Sequence, residues 1–119
     1  MMHFEKTTIW PRAVELADCC YRLTSLLPPS ETYGLSSQIR RASVSVYANF
    51  VEGWNRETKK DSANFLSISR ASLAELKAHL LFCVKRRWLQ PDDVRWALQE
   101  IDELYRIMTA IRLKLMRAN

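Results

Sequence analysis

Ten consecutive residues without a charged side chain, residues 42–51, dominate the pattern of this sequence. They belong to a longer segment, residues 34–53, in which apolar and small side chains recur at helical spacing. A helix that is apolar or small on every side is usually buried on more than one side. A chain of 119 residues forms one domain, here residues 1–119, with a modest core. The pattern therefore indicates that this helix is also buried against partner subunits.

Apolar residues at steps of three and four predict four helices. The first covers about residues 8–27 and ends at two prolines, and the second covers about residues 36–52. We expect Ser36 or Ser37 to cap the start of the second helix, and Gly53 to end it in a left-handed conformation. Thr58 and Asp61 form a capping-box variant before a third helix of about 28 residues. Pro91 opens the fourth helix.

The predicted inward residues define the core of this arrangement. They are Ile9, Ala13, Leu16, Cys20, Leu23 and Leu27; Leu35, Ile39, Ala42, Val46, Asn49 and Gly53; Leu66, Ser69, Leu73, Leu76, Leu80 and Cys83; and Val94, Leu98, Ile101, Tyr105, Met108 and Leu115. Short links between amphipathic helices favour an all-α, antiparallel up-down-up-down four-helix bundle.

Other apolar side chains fall outside the inward stripes of the second, third and fourth helices. An apolar patch on a surface indicates association, so we expect a homo-oligomer. The alternative is that the third helix is central and meets neighbours of its own chain on two faces. The residues predicted to form the subunit interface are Val44, Tyr47, Val51, Ile68, Phe82 and Trp96.

Several functional classes lack their sequence signatures. No apolar run reaches the roughly 18 residues of a membrane span, and the first residues do not have the order of a secretory signal, so we expect a soluble cytoplasmic protein. The three cysteines lack ligand spacing. Glu75 and His79 are spaced i and i+4 without a matching pair on another helix. We therefore expect no disulfide, metal or cofactor, and no enzymatic activity.

Charge gives the main indication of a partner. The chain has 18 Lys and Arg against 13 Asp and Glu, a net charge of +5, which favours polyanionic partners. Arg40 and Arg41 begin the second helix, and Lys59 and Lys60 begin the third, where the helix dipole disfavours cations. With Arg56, these residues are predicted to contact the phosphates of RNA or DNA.

Three alternatives apply to these basic residues. An internal carboxylate, Glu31, Glu52 or Glu57, would neutralise them without any ligand. A solvated basic surface would bind nothing specific. The basic surface would instead contact an acidic protein if the chain is an adaptor without direct nucleic-acid binding.

Asn49, Glu52 and Gly53 form a polar motif near the end of the second helix. A buried amide left without a hydrogen bond costs about 1–3 kcal/mol, so Asn49 must find partners. We expect Glu52 to pair with an arginine across a subunit contact. A general acid and base would need a second ionisable group and a pocket, which the sequence does not indicate. The motif is therefore predicted to be structural.

Six short motifs occur together in order: IW at 9–10, GLSSQIRRA at 34–42, NFVEG at 49–53, KK at 59–60, FL at 65–66 and SLAEL at 72–76. In these motifs the chain resembles the 23S rRNA intervening-sequence protein family, over about residues 4–115. The resemblance implies a small cytosolic bundle, similar to the accessory variability proteins of diversity-generating retroelements, which assembles into a homopentamer and is suspected of binding nucleic acid. The proline that the family more often has near the end of the second helix is missing, which predicts a straighter helix.

Overall fold

The structure, a computed structural model, describes residues 3–117. They form the helices α1 (Ile9–Thr24), α2 (Leu35–Trp54), α3 (Lys59–Lys85) and α4 (Pro91–Arg117), with short 3-10 turns at Phe4–Lys6 and Pro29–Glu31. No strand occurs in this range. The predicted all-α class with four helices is confirmed.

Each helix packs against two others, so that α1 and α3 each lie against both α2 and α4. At one end of the bundle, Ile9 of α1, Gly53 of α2, Ser62 of α3 and Leu115 of α4 line a common cavity; we call this the Gly53 end. At the other end, Arg40 of α2 donates to Thr24 of α1; we call this the Arg40 end. These contacts are compatible with up-down-up-down order.

The predicted inward residues of α1 and α3 are all buried. α1 ends at Thr24 and not at residue 27, because the N–H of Ser25 bonds to the carbonyls of Arg22 and Leu23 in a tighter last turn; Leu27 is buried in the turn that follows. At the start of α3, the hydroxyl of Thr58 accepts from the N–H of Asp61 at 3.1 Å. The predicted cap is confirmed.

α2 differs from the prediction at both ends. Its first residue is Leu35, whose N–H donates to Oε1 of Glu31 at 3.1 Å, so the expected serine cap is wrong. The helix continues through Gly53 to Trp54, and Gly53 is not left-handed. α2 is one continuous helix; the straighter course predicted from the missing proline stays a prediction.

The inward stripe of α2 is rotated by one residue near its end. Phe50 is buried there, whereas Asn49 is half-buried. Nδ2 of Asn49 donates to the carbonyl and to the hydroxyl of Ser45, at 2.9 and 2.8 Å. The amide is thus satisfied within its own helix, and the larger apolar ring takes the core position.

α4 shows a similar rotation. Leu104 is buried and Tyr105 is 37% exposed, so the prediction that Tyr105 points inward is wrong; Leu98 and Leu115 are half-buried. The guanidinium of Arg70 lies 5.1 Å from the centre of the Tyr105 ring, at the surface. Since α4 contacts both α1 and α3, its buried stripe is centred between them, on Ala97, Ile101, Leu104 and Met108.

The three cysteines are free thiols. Burial raises the pKa of Cys20 to about 12 and that of Cys83 to about 11. Both side chains therefore remain protonated near neutral pH and act as small apolar core residues. No helix among residues 3–117 has the length and apolar character needed to cross a membrane.

Candidate nucleic-acid interface

An open groove of about 780 Å³ lies along the outer side of α2, beside the end of α1 and the following turn. We call it the α1–α2 groove. Its lining combines cationic, aromatic, small polar and apolar side chains: Tyr21, Thr32, Tyr33, Ser37, Arg40, Arg41, Val44, Ser45, Ala48 and Asn49. It contains two of the five residues predicted to contact phosphate.

Arg40 is held in place without a carboxylate. Its Nε donates to the hydroxyl of Thr24 at 2.9 Å, and its guanidinium lies 4.7 Å from the centre of the Tyr21 ring. Thr24 is buried and donates to the carbonyl of Tyr21 at 2.8 Å. Because these partners are neutral, they orient the guanidinium while leaving its charge available to an anion.

Arg41 and Tyr33 are the exposed cationic and aromatic members of the groove. Arg41 forms no hydrogen bond or ion pair with any residue in the range 3–117. Tyr33 is 96% exposed. It comes shortly after the 3-10 turn Pro29–Glu31. Thr32 closes this turn, and its hydroxyl donates to the carbonyl of Pro29 at 2.8 Å. A hydrogen-bonded turn therefore carries the tyrosine ring into solvent.

The other three predicted phosphate ligands are at the Gly53 end. Arg40 and Trp54 are fourteen residues apart in α2, or about 21 Å at 1.5 Å per residue, and Lys59 and Lys60 lie beyond. Both lysines are exposed and have no ion-pair partner within residues 3–117. Neither lines the α1–α2 groove or the cavity at the Gly53 end. The five basic residues thus form two separate groups.

Arg56 has partners within the chain. Its Nη2 lies 3.6 Å from Oε1 of Glu52, and its guanidinium lies 4.4 Å from the centre of the Phe65 ring. An internal carboxylate thus faces Arg56, as one of the alternatives proposed, whereas none within residues 3–117 faces Arg40 or Arg41. Glu52, in the last turn of α2, thus faces an arginine in the link that follows in its own chain.

Gly53 permits a close approach of α2 and α3. A Cβ atom on Gly53 would lie 3.1 Å from Cβ of Phe65 and 3.2 Å from the carbonyl oxygen of Ser62. The hydroxyl of Ser62 donates to the carbonyl of Gly53 at 2.8 Å. Farther along the same contact, the hydroxyls of Ser45 and Ser72 bond at 2.7 Å. These bonds give the polar motif a structural explanation.

The predicted interface residues divide into two groups. Ile68, Phe82 and Trp96 are exposed, although the Phe82 ring also meets Trp88 edge to face at 6.2 Å between ring centres. Tyr47 and Val51 are partly buried against the core of their own bundle. Val44 is half-buried in the α1–α2 groove. The apolar surface open to a partner therefore lies mainly on α3 and α4.

Glu75 and His79 bond to each other at 3.1 Å. No group of three or more His, Cys, Asp or Glu side chains that could hold a metal occurs among residues 3–117. The described part of the chain thus offers this pair no third ligand.

Sequence reasoning missed the two tyrosines of the groove. Tyr21 follows the inward residue Cys20 and so lies outside the inward stripe of α1. Its position in the sequence could therefore have indicated a surface tyrosine. Tyr33 lies in a turn, where periodicity gives no information. The packing of α1 against α2 is what brings both rings beside Arg40 and Arg41.

Comparisons with known proteins identify the fold and the family. The model of the 23S rRNA-intervening sequence protein family matches residues 5–110. A crystal structure from Bacteroides thetaiotaomicron, described as a protein of unknown function from the S23 ribosomal protein family, superposes with a TM-score of 0.82. It is 19% identical and the match covers 88% of this chain and 98% of that one. No curated protein matches the chain.

Proposed function

This chain belongs to the 23S rRNA-intervening sequence protein family, and we propose that it is a non-enzymatic, homo-oligomeric module that binds nucleic acid through the α1–α2 groove. One observation carries the proposal: two adjacent arginines line an open groove without a carboxylate partner among residues 3–117. The parallel N–H groups of an arginine guanidinium can donate to two oxygens of one phosphate group. The groove thus offers two adjacent phosphate contacts on each subunit.

The second basic group offers further phosphate contacts at the Gly53 end. Lys59 and Lys60 contact phosphate more weakly, because they lie outside the α1–α2 groove. Arg56 contributes least, since it already faces Glu52. We expect phosphate contacts of this kind to give binding with little sequence preference.

The exposed apolar side chains support self-association. Ile68, Phe82 and Trp96 place large apolar area on α3 and α4, away from the groove residues. We propose that they meet a second copy of the chain, and the family resemblance implies a ring of five. In such a ring the grooves of all subunits act on one polyanion, which multiplies weak contacts.

Nucleic-acid binding is tested by fluorescence anisotropy with labelled RNA and DNA of arbitrary sequence. Arg41→Glu is expected to weaken binding at least about tenfold, since it removes a phosphate contact and adds repulsion. Arg106→Glu is the matched control, because Arg106 on α4 is also exposed and unpaired within the described range. Equal losses in the two variants, or no binding at low salt, would contradict the proposal; the latter favours the adaptor alternative.

Self-association is tested by light scattering on the purified protein. Ile68→Glu is expected to lower the mass of the particle while the circular dichroism spectrum stays helical, because a charge buried at an interface is unfavourable. Leu26→Glu, in the exposed turn after α1, should leave the mass unchanged. A native protein with the mass of one chain would refute the oligomer.

A further inference from the structure

We infer that the α1–α2 groove takes single-stranded nucleic acid, with an unpaired base stacked on Tyr33 and the adjoining phosphate on Arg41. The inference rests on the proposed function and makes its ligand more specific. It follows from the unequal environments of the two tyrosines and from the place of Tyr33 beside Arg41 in the groove.

Tyr21 and Tyr33 differ in what their rings contact. One face of Tyr21 is already covered by the Arg40 guanidinium, 4.7 Å from the ring centre, and the residue is 41% exposed. Tyr33 is 96% exposed, and its ring forms no aromatic or cation–π contact with residues 3–117. Both faces of the Tyr33 ring are therefore available to a flat partner. Such a ring next to cations is the arrangement that single-strand-binding surfaces use.

The ligand that suits this ring is a nucleic-acid base. Every base has a flat face that stacks on an aromatic side chain, whatever its sequence. An acidic peptide would satisfy Arg41 equally well, but its carboxylates could use only the hydroxyl of Tyr33 and would leave the faces of the ring uncovered. The presence of Tyr33 in the same groove as Arg41 thus favours a nucleotide over a carboxylate.

The Tyr33 ring also discriminates between strand forms. The α1–α2 groove is open, so the discrimination depends on what the ring can contact and not on the size of the groove. The bases of a duplex are stacked on one another and show only their edges in the grooves. Only an unpaired base can present its face to Tyr33.

A strand that carries 2-aminopurine reports stacking directly, because stacking on an aromatic ring quenches its fluorescence. The native protein and Tyr33→Phe are expected to quench it and to bind the single strand at least about tenfold more tightly than the same sequence as a duplex. Tyr33→Ala should lose the quenching and weaken single-strand binding about tenfold, without a change in duplex binding. Because Tyr33 is exposed, its variants should keep the melting temperature of the native protein.

Tyr105→Ala is the matched control, because Tyr105 is a surface tyrosine on α4 outside the groove; it should behave as the native protein. Equal affinity for single strand and duplex, or full binding and quenching by Tyr33→Ala, would overturn the inference. The proposed function would survive those results if Arg41→Glu still weakened binding more than Arg106→Glu. In a competition assay, polyglutamate should displace the labelled strand less effectively than unlabelled strand does. Equal displacement would show that the groove binds any polyanion and would overturn the inference.

Discussion

The two ends of α2 are built differently although the same uncharged segment connects them. At the Arg40 end, two arginines and two tyrosines face an open groove. At the Gly53 end, the backbones of α2 and α3 approach so closely that a Cβ on Gly53 would lie 3.1 Å from Phe65. The cavity there, about 600 Å³, is lined mostly by apolar side chains such as Phe50 and Leu66.

This difference assigns helix packing to one end of α2 and ligand binding to the other. Small residues at the Gly53 end allow close contact and hydrogen bonds between helices, as between Ser62 and Gly53. At the Arg40 end, Arg40 is held by the neutral hydroxyl of Thr24 and Arg41 has no partner within residues 3–117, so both charges stay exposed. Substitutions at the Arg40 end should therefore change binding, and those at the Gly53 end should change stability.

The largest expected effect is on binding by the Arg40 end. Arg40→Glu combined with Arg41→Glu should weaken nucleic-acid binding about 100-fold, because two phosphate contacts are replaced by repulsion. Lys59→Glu combined with Lys60→Glu changes the net charge equally at the Gly53 end and should weaken binding less than about tenfold. Anisotropy titrations of both double variants at one salt concentration make the comparison. Equal losses would mean that net charge decides binding and that the groove has no special role.

A smaller effect is expected on the stability of the Gly53 end. Gly53→Val should lower the free energy of unfolding by about 2 kcal/mol, because the added side chain overpacks the contact with Phe65 and Ser62. Ala48→Val, on the exposed side of the same helix, should cost about 0.5 kcal/mol or less. Urea denaturation followed by circular dichroism measures both. Similar costs at the two positions would show that α2 and α3 separate easily.

The smallest effect concerns the end of α3. Arg87 has φ of 63°, and the N–H groups of Arg87 and Trp88 bond to the carbonyls of Val84 and Cys83 in a Schellman motif. The left-handed conformation costs a residue with a side chain about 1 kcal/mol. Arg87→Gly should therefore raise the free energy of unfolding by about 1 kcal/mol.

Arg86→Gly is the control for this change. Arg86 has an ordinary right-handed conformation, with φ of −75°, so glycine relieves no strain there. It should be neutral or destabilising in the same denaturation experiment. Stabilisation by Arg86→Gly as large as that by Arg87→Gly would refute the strain at Arg87.

Much of the fold follows from spacing alone. The inward stripes of α1 and α3 are clear because large apolar residues recur at steps of three and four residues. Charged residues occupy positions between them. In α2 and α4 the prediction was wrong by one position, since Phe50 adjoins Asn49 and Leu104 adjoins Tyr105. In both helices a polar or amphipathic side chain stands beside a large apolar one, and spacing alone does not show which of the two faces the core.

The candidate site was predictable only in part. The helix dipole argument selected Arg40 and Arg41, which both line the groove. It also selected Lys59 and Lys60, which the antiparallel order of the helices puts at the other end of the bundle, where the structure has them. The contribution of Tyr33 depends on how a turn is placed against a helix surface, and residue spacing carries no such information.

The salt dependence of nucleic-acid binding tests the central claim most directly. Two phosphate contacts to a single strand predict that the logarithm of the association constant falls as the logarithm of the salt concentration rises. The slope should be about −1.4 or steeper. In the Arg40→Glu, Arg41→Glu variant the slope should be shallower by about 1.4, because the contacts of Lys59 and Lys60 remain. A native protein whose affinity does not change with salt, or a double variant that keeps the native slope, would contradict binding through the α1–α2 groove.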